Sequence, residues 1–256
     1  MLGVGPPMPR ITFVGTGEAF DPGLPNTSLL YQGESTLLCD CGFRVPHAFW
    51  NLTDDPSLLD AIYITHQHAD HSFGLPALLL WMREEGRSRP LEVVGGPGVG
   101  AWLEKLLELG YPGSYAPGRC YPIEARELRP GEQLTRGALG LSNSKSDHGV
   151  RNLSLRIDER PHSFAYSGDG TPSDATRELY RSVGLLVHEC YAADDAPRGH
   201  ASARELLTMA DELGVGTLCL LHIGRREKDA VRAEVARYRG STRVVLPAPG
   251  DSIELQ

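Results

Sequence analysis

Long apolar runs are missing from this chain. No stretch approaches the ~20 consecutive apolar residues of a membrane helix. Residues 1–10 carry no apolar core of leader length, so neither a spanning segment nor an export signal is expected. Basic residues are in deficit. The 25 Lys and Arg stand against 33 Asp and Glu, a formal charge of −8, which removes any global attraction to nucleic acid and leaves DNA out of the expected partners. Cysteine is scarce, at five residues with no framework spacing. Cys39 and Cys41 lie in Thr36-Leu-Leu-Cys-Asp-Cys-Gly42, a strand running into a turn, so buried reduced thiols are expected rather than a ligand or redox pair. A soluble cytoplasmic protein that meets no membrane is the expectation.

Glycine and proline, by contrast, are plentiful at 29 and 19, which favours many turns and a loop-built site over a helical bundle. At 41% hydrophobic and 23% charged residues, the chain has enough apolar material for a sizeable core. Strands are expected at 10–14, 28–31, 36–40, Ala61–Ile64 and 91–94, with helices at 75–85 and near 101–109. Residues 111–130 show no clear period and read as a loop or short excursion. The second half repeats this grammar: strands at 139–144, 152–158, 163–167, 184–189, Thr217–Leu221, 243–246 and 252–255, and helices at 173–182, after a capping box at Ser202-Ala-Arg-Glu205, and at 227–238, ended by Gly240. Leu206, Leu207, Ala210 and Leu213 share one helix face. Two sheets packed together with helices outside follow, in a single domain over residues 1–256.

The chemistry-bearing residues share one placement, at or just past strand ends, where loops converge while rigid sheets hold them. The sharpest signal is His66-Gln67-His68-Ala69-Asp70-His71. Imidazoles and a carboxylate suit zinc and similar divalent ions, and four candidate ligands in six residues are too many for one tetrahedral ion that also takes distant ligands. On a tight loop alternate residues point the same way, so His66 and His68 face one ion and Asp70 and His71 a second. His148 is the candidate to complete the first set and His222 the second, with Asp169 as a carboxylate able to bridge both. Taken singly these are weaker signals: a lone histidine is commonly a structural residue, and an aspartate between two glycines is commonly a turn residue.

The segment Thr65-His-Gln-His-Ala-Asp-His-Ser-Phe-Gly-Leu-Pro-Ala-Leu78 resembles the signature of the metallo-β-lactamase superfamily, and its Phe73-Gly-Leu-Pro76 tail resembles the tRNase Z branch of zinc phosphodiesterases. The similarity extends from Gly15-Thr-Gly17 through Asp40-Cys-Gly42, Asp147-His148 and Ser167-Gly-Asp169 to Leu221-His222-Ile223. The resemblance implies an α/β fold of the αββα sandwich type, with four layers, and a metal-dependent hydrolase with two Zn2+ and a hydroxide between them, Mn2+ or Fe being compatible with nitrogen and carboxylate ligands. His188-Glu189 and Gly199-His200-Ala-Ser202 resemble two further segments of that branch. By that resemblance His200 contacts the scissile phosphate or protonates the leaving alkoxide, Glu189 orients its ring, and Asp70 also holds the proton of the nucleophile. A homodimer is likewise implied. No glutamate stands at the His68 position, which argues against the flavin-linked diiron variant of the fold. His47 and His162 match nothing in the motif set.

The chain departs from the branch at several points. Phe20-Asp-Pro-Gly-Leu-Pro25 replaces a basic loop, Ala201 replaces a serine, Asn152-Leu-Ser-Leu-Arg156 replaces a Phe-Gly-Tyr-like stretch, and no long basic insertion grips a tRNA elbow. A phosphodiester substrate is therefore expected, either a small molecule or an RNA 3′ end. The alternatives are tRNA 3′ processing, a lactonase or thioesterase on the same fold, and a metal-binding sensor without turnover.

Overall fold

The computed structural model describes residues 8–116, 118–137 and 139–255. Most of the N-terminal stretch read for a leader, and two positions within the 111–139 region, lie outside them. Two seven-stranded mixed sheets form the middle of the molecule. The first carries β1 (Arg10–Gly15), β2 (Ser28–Gln32), β3 (Thr36–Cys39), β4 (Ala61–Ile64), β5 (Leu91–Gly95) and β6 (Ile123–Glu127). The second carries β7 (Gln133–Arg136), β8 (Leu139–Lys145), β9 (Leu153–Glu159), β10 (His162–Tyr166), β11 (Leu185–Glu189), β12 (Thr217–Leu221) and β13 (Arg243–Val245). The last strand, β14 (Ser252–Glu254), returns to the first sheet and pairs antiparallel with β1. In each sheet an antiparallel portion gives way to parallel strands: β3 to β6 in one, β10 to β13 in the other.

The strands read as near-continuous apolar runs because both faces are covered. Alternation then sorts them. Ile11, Phe13, Leu29, Tyr31, Leu155, Phe164, Tyr166 and Val187 point between the sheets into one core. Leu30, Leu38, Ile62 and Ile64 point outward, onto the helices α1 (Val45–Trp50), α3 (Leu75–Glu84) and α4 (Val99–Gly110). On the far side Ala165, Leu186, Leu218 and Leu220 meet α5 (Asp174–Tyr180), α6 (Ala203–Leu213) and α7 (Lys228–Arg237). The α6 face expected from the sequence, with Leu206, Leu207, Ala210 and Leu213, is buried there, and burying each such leucine contributes roughly 1.5–3 kcal/mol. The result is the αββα sandwich.

Two local expectations differ from the fold. The region read as a loop contains β6, a parallel edge strand on β5. Its Glu124, Arg126 and Glu127 are exposed and Pro122 precedes it, so the charges that blunt a sheet edge also erase the apolar period. Helix α7 stops at Arg237, before Gly240: Tyr238 turns extended, with its hydroxyl on Asp211 at 2.5 Å. The expected thiols are free, and Cys39, Cys41, Cys190 and Cys219 are buried.

Candidate metal centre

Five loops meet at one end of the paired sheets. The His66–His71 run leaves the C-terminal end of β4 and passes into a single helical turn, α2 (Ala69–Ser72). Asp147-His148 follows β8, Asp169 follows β10, Glu189 ends β11, and His222 follows β12. Backbone bonds dock the metal loop on residues 40–42: Cys41 N–H donates to the His71 carbonyl at 2.7 Å, and Gly74 N–H to the Cys41 carbonyl at 2.8 Å. That approach needs glycine, because a Cβ on Gly42 would stand 1.9 Å from the Asp70 carbonyl and one on Gly74 2.2 Å from the Gly42 carbonyl. Asp40 and His222 themselves adopt left-handed backbone, φ 63° and 55°, conformations that cost non-glycine residues about 1–3 kcal/mol and cluster at functional sites.

The side chains gather into two ligand sets. His66, His68 and His148 form the first, and Asp70, His71, Asp169 and His222 the second, with the donor atoms of each set lying within 4.8 Å of one another; His148, Asp169 and His200 form a third group at the same spacing that overlaps both. His68 Nδ1 is 3.0 Å from His66 Nε2 and 3.3 Å from His148 Nε2. Zn–N bonds of ~2.05 Å in a tetrahedron would put such nitrogens about 3.3 Å apart. Asp169 lies between the sets. Its Oδ1 is 3.3 Å from His71 Nε2, and its Oδ2 is 3.5 Å from His222 Nε2 and 4.0 Å from His66 Nε2. Asp70 Oδ2 reaches His71 Nε2 at 3.4 Å and His222 Nε2 at 4.0 Å. The buried His71 Nε2 and Asp169 Oδ1 have no hydrogen-bond partner, and a divalent ion would satisfy both.

Outer partners fix which nitrogen of each imidazole faces the site. The Gly199 carbonyl accepts from His148 Nδ1 at 2.8 Å, and Asp40 Oδ2 accepts from His71 Nδ1 at 2.8 Å. The Thr65 hydroxyl donates to Asp40, so its oxygen accepts from His66 Nδ1 at 3.0 Å. The Thr27 hydroxyl donates to the Gly17 carbonyl and accepts from His222 Nδ1 at 3.1 Å. In all four rings the Nδ1 proton is thus tied outward and the Nε2 lone pair turned inward, the arrangement that orients metal-binding histidines.

Charge distribution fits a cation. Burial and the neighbouring His71 push the His66 pKa well below its ordinary value, so that ring is neutral and able to ligate. Burial would lower His71 too, but Asp169 and Asp40 together raise it well above the ordinary value. Burial would likewise raise Asp169, yet His222 and His71 hold it well below the usual carboxylate range. The carboxylates around His71 thus favour positive charge at the inward side of its ring, where a divalent ion would sit.

His200 lies beside both sets, its ring 5.3 Å from that of His148, 6.3 Å from that of His222 and 4.9 Å from that of Tyr191. Its Nδ1 is 3.2 Å from Glu189 Oε1, an ion-pair contact short of full hydrogen-bond geometry. Glu189 is fully buried and accepts from Gly170 N–H at 3.1 Å and Ala201 N–H at 3.0 Å. Burial pushes its carboxyl up to about 7 against the opposing pull of His200. His188 points to the other face, its ring 5.6 Å from Tyr180, as strand alternation requires. The nine residues given site roles in the sequence are brought to this one place. His47, on α1, instead contacts Asn51 just past the end of that helix. Asp40, Thr65, Thr27 and Tyr166 escaped notice as site residues. The first two lie inside recognised motifs, but Thr27 meets His222 across 195 positions of sequence and carries no local signal.

Paired mixed sheets with helices outside and this histidine–aspartate cluster at their end define a metal-dependent hydrolase of the metallo-β-lactamase fold. A family model described as "Anti-Pycsar protein Apyc1" matches residues 9–237, and the chain belongs to that family. Ribonuclease BN of Escherichia coli O17:K52:H18 is 28% identical over 281 aligned positions, covering 86% of this chain and 90% of that protein. Among solved structures, the metallo-β-lactamase fold protein YhfI from Bacillus subtilis superposes with a TM-score of 0.82 at 24% identity, covering 96% of this chain and 99% of YhfI. The short form of human tRNase Z follows at 0.80 and 21%, covering 96% and 99%. No helix among the described residues is long and apolar enough to cross a membrane.

Proposed function

We propose that the chain is a phosphodiesterase, a single domain over residues 1–256, that works with two divalent ions, zinc by default and Mn2+ or Fe as alternatives. His66, His68 and His148 would hold one ion and Asp70, His71 and His222 the other, with Asp169 shared. The observation that carries this reading is the position of Asp169, whose two oxygens reach towards histidines of both sets. When bound, the ions supply Lewis acidity, lowering the pKa of water towards neutrality and neutralising phosphoryl oxygens. Asp70, at the mouth of the second set, accepts the proton of the attacking water. His200 faces the same space from the opposite loop and delivers a proton to the departing alkoxide. Glu189 keeps its ring in place. The protein acts in the cytoplasm as a homodimer.

The relatives named as nucleases support a phosphodiester bond. The same relatives favour a second reading, cleavage at an RNA 3′ end. Against it, the loop in place of a basic segment presents Phe20, 72% exposed and capped by the Arg225 guanidinium, while Asp21 of that loop pairs with Lys228. Bis-p-nitrophenyl phosphate, a lactone, a thioester, a cyclic nucleotide panel and a precursor tRNA, each tested before and after chelation, distinguish these readings. The account expects metal-dependent turnover of the small diesters. Turnover of the lactone or thioester alone contradicts it.

A further inference from the structure

Strand alternation puts a second side chain on the side of β11 that carries Glu189. The chain runs on past the strand, Cys190 N–H donating to the Leu221 carbonyl at 2.8 Å, so Tyr191, two residues beyond Glu189, turns the same way. Both side chains meet His200. The Tyr191 ring stands 4.9 Å from the imidazole, tilted by 37°, nearer than the rings of His148 at 5.3 Å and His222 at 6.3 Å. Tyr191 is itself held. Its N–H donates at 2.9 Å to the carbonyl of Ala201, the neighbour of His200, and its own carbonyl accepts from Gly224 N–H at 2.9 Å. Gly224 leaves room for it, since a Cβ there would stand 3.1 Å from Tyr191 Cε1 and 2.7 Å from its carbonyl oxygen. The loop that carries His200 is thus tied through Tyr191 to the loop that follows His222. His200 needs such support. Its 3.2 Å contact with Glu189 falls short of hydrogen-bond geometry, and Glu189 Oε1 already accepts two backbone N–H groups. A charge contact of that kind pulls the ring without fixing its tilt, whereas an aromatic neighbour restricts the tilt.

We propose that Tyr191 is a positioning residue for His200, its ring fixing the plane in which the imidazole meets the departing oxygen. The inference rests on the phosphodiesterase reading, which gives His200 its task, and adds to it a second support beside Glu189. An acid–base group works only when it is within hydrogen-bond reach of the atom it serves and aligned with it. A ring free to tilt therefore loses turnover while the ions and the affinity for substrate stay in place. The contact runs from ring to ring, so Tyr191→Phe keeps it and Tyr191→Ala removes it.

The test uses the metal-loaded full chain. Hydrolysis of bis-p-nitrophenyl phosphate gives kcat and KM, and elemental analysis gives the ion content. Acylation by diethyl pyrocarbonate, mapped by peptide mass spectrometry, reads how freely the His200 ring is presented. Tyr191→Ala is expected to lose about 10- to 100-fold in kcat at unchanged KM, the scale of a misplaced catalytic group. It should keep the ions of the wild type and acylate faster at His200. Tyr191→Phe should match the wild type in all of these. Tyr191→Leu, which keeps bulk without a flat ring, takes the place of Tyr191→Ala should that variant fail to fold, with the same losses expected. Wild-type kcat and acylation in the folded variant overturn the proposal. So does a loss confined to KM, a loss of ions, or a Tyr191→Phe variant as impaired as Tyr191→Ala; these would move the role to substrate contact, to the metal loop or to the hydroxyl. An inactive wild type sinks the phosphodiesterase reading, and the acylation rates then still judge the ring contact. An active wild type indifferent to Tyr191→Ala sinks the positioning role alone.

Discussion

Tyr166 on the second sheet donates its hydroxyl hydrogen to Asp40 on the first, 2.8 Å away, and the same carboxylate oxygen accepts Nδ1–H of His71 at 2.8 Å. Thr65 adds its N–H and its hydroxyl to the same carboxylate. One buried aspartate therefore joins the two sheets beneath the metal loop and fixes the ring of a candidate ligand. Such an outer partner is typically worth 10- to 100-fold in metal affinity. Asp40→Asn, which replaces the anionic acceptor, should lower zinc affinity by about that factor, and Tyr166→Phe by less. Competition against a chromogenic chelator measures both. Wild-type affinity in Asp40→Asn would remove the aspartate from the account.

His200 lies within 4.8 Å of donor atoms of His148 and Asp169 but belongs to neither proposed ligand set, so its loss distinguishes a role in chemistry from one in metal binding. His200→Ala is expected to keep its ions and lose very roughly two to four orders of magnitude in kcat on bis-p-nitrophenyl phosphate, the range for a positioned acid–base group. Glu189→Gln keeps the shape of the side chain and should lose less, mainly in kcat. Loss of the ions along with activity in His200→Ala would assign that histidine a ligand role instead.

Much of this was legible before the fold was known. Asp169, His148 and His222 could be found because each follows a strand whose apolar run marks where it ends, and because the His66–His71 cluster demanded partners. The α6 face was legible from its 3.6-residue period. What stayed hidden depends on contacts that have no local pattern. Tyr166 looks like one more core residue of β10 until the opposite sheet brings Asp40 to its hydroxyl. The β6 strand shows charges where a buried strand shows none, since it lies at an edge.

Acid stability should report on a different group. Asp211 Oδ1 accepts from the Tyr238 hydroxyl and from the N–H and hydroxyl groups of both Ser241 and Thr242. The Tyr238 bond, and then the Thr242 and Ser241 donors, hold its carboxyl down to about 2 against burial. A folded-state pKa below the unfolded value stabilises the native chain above the unfolded pKa, and that contribution is lost as pH falls from about 4 towards 2. Asp211→Ala should cost about 1 kcal/mol at neutral pH, the scale of a net hydrogen bond in a largely solvated cluster, and should flatten the denaturation profile between pH 4 and 2. A variant whose acid profile parallels the wild type would contradict this.

The central claim is a pair of ion sites sharing Asp169, and the most direct measurement is zinc stoichiometry after equilibrium dialysis, read by elemental analysis beside diester hydrolysis. The account predicts two ions per wild-type chain, one per chain in His68→Ala, one or none in Asp169→Ala, and little turnover in either variant. One ion or none in the wild type, or two ions and full hydrolysis in His68→Ala, would contradict it.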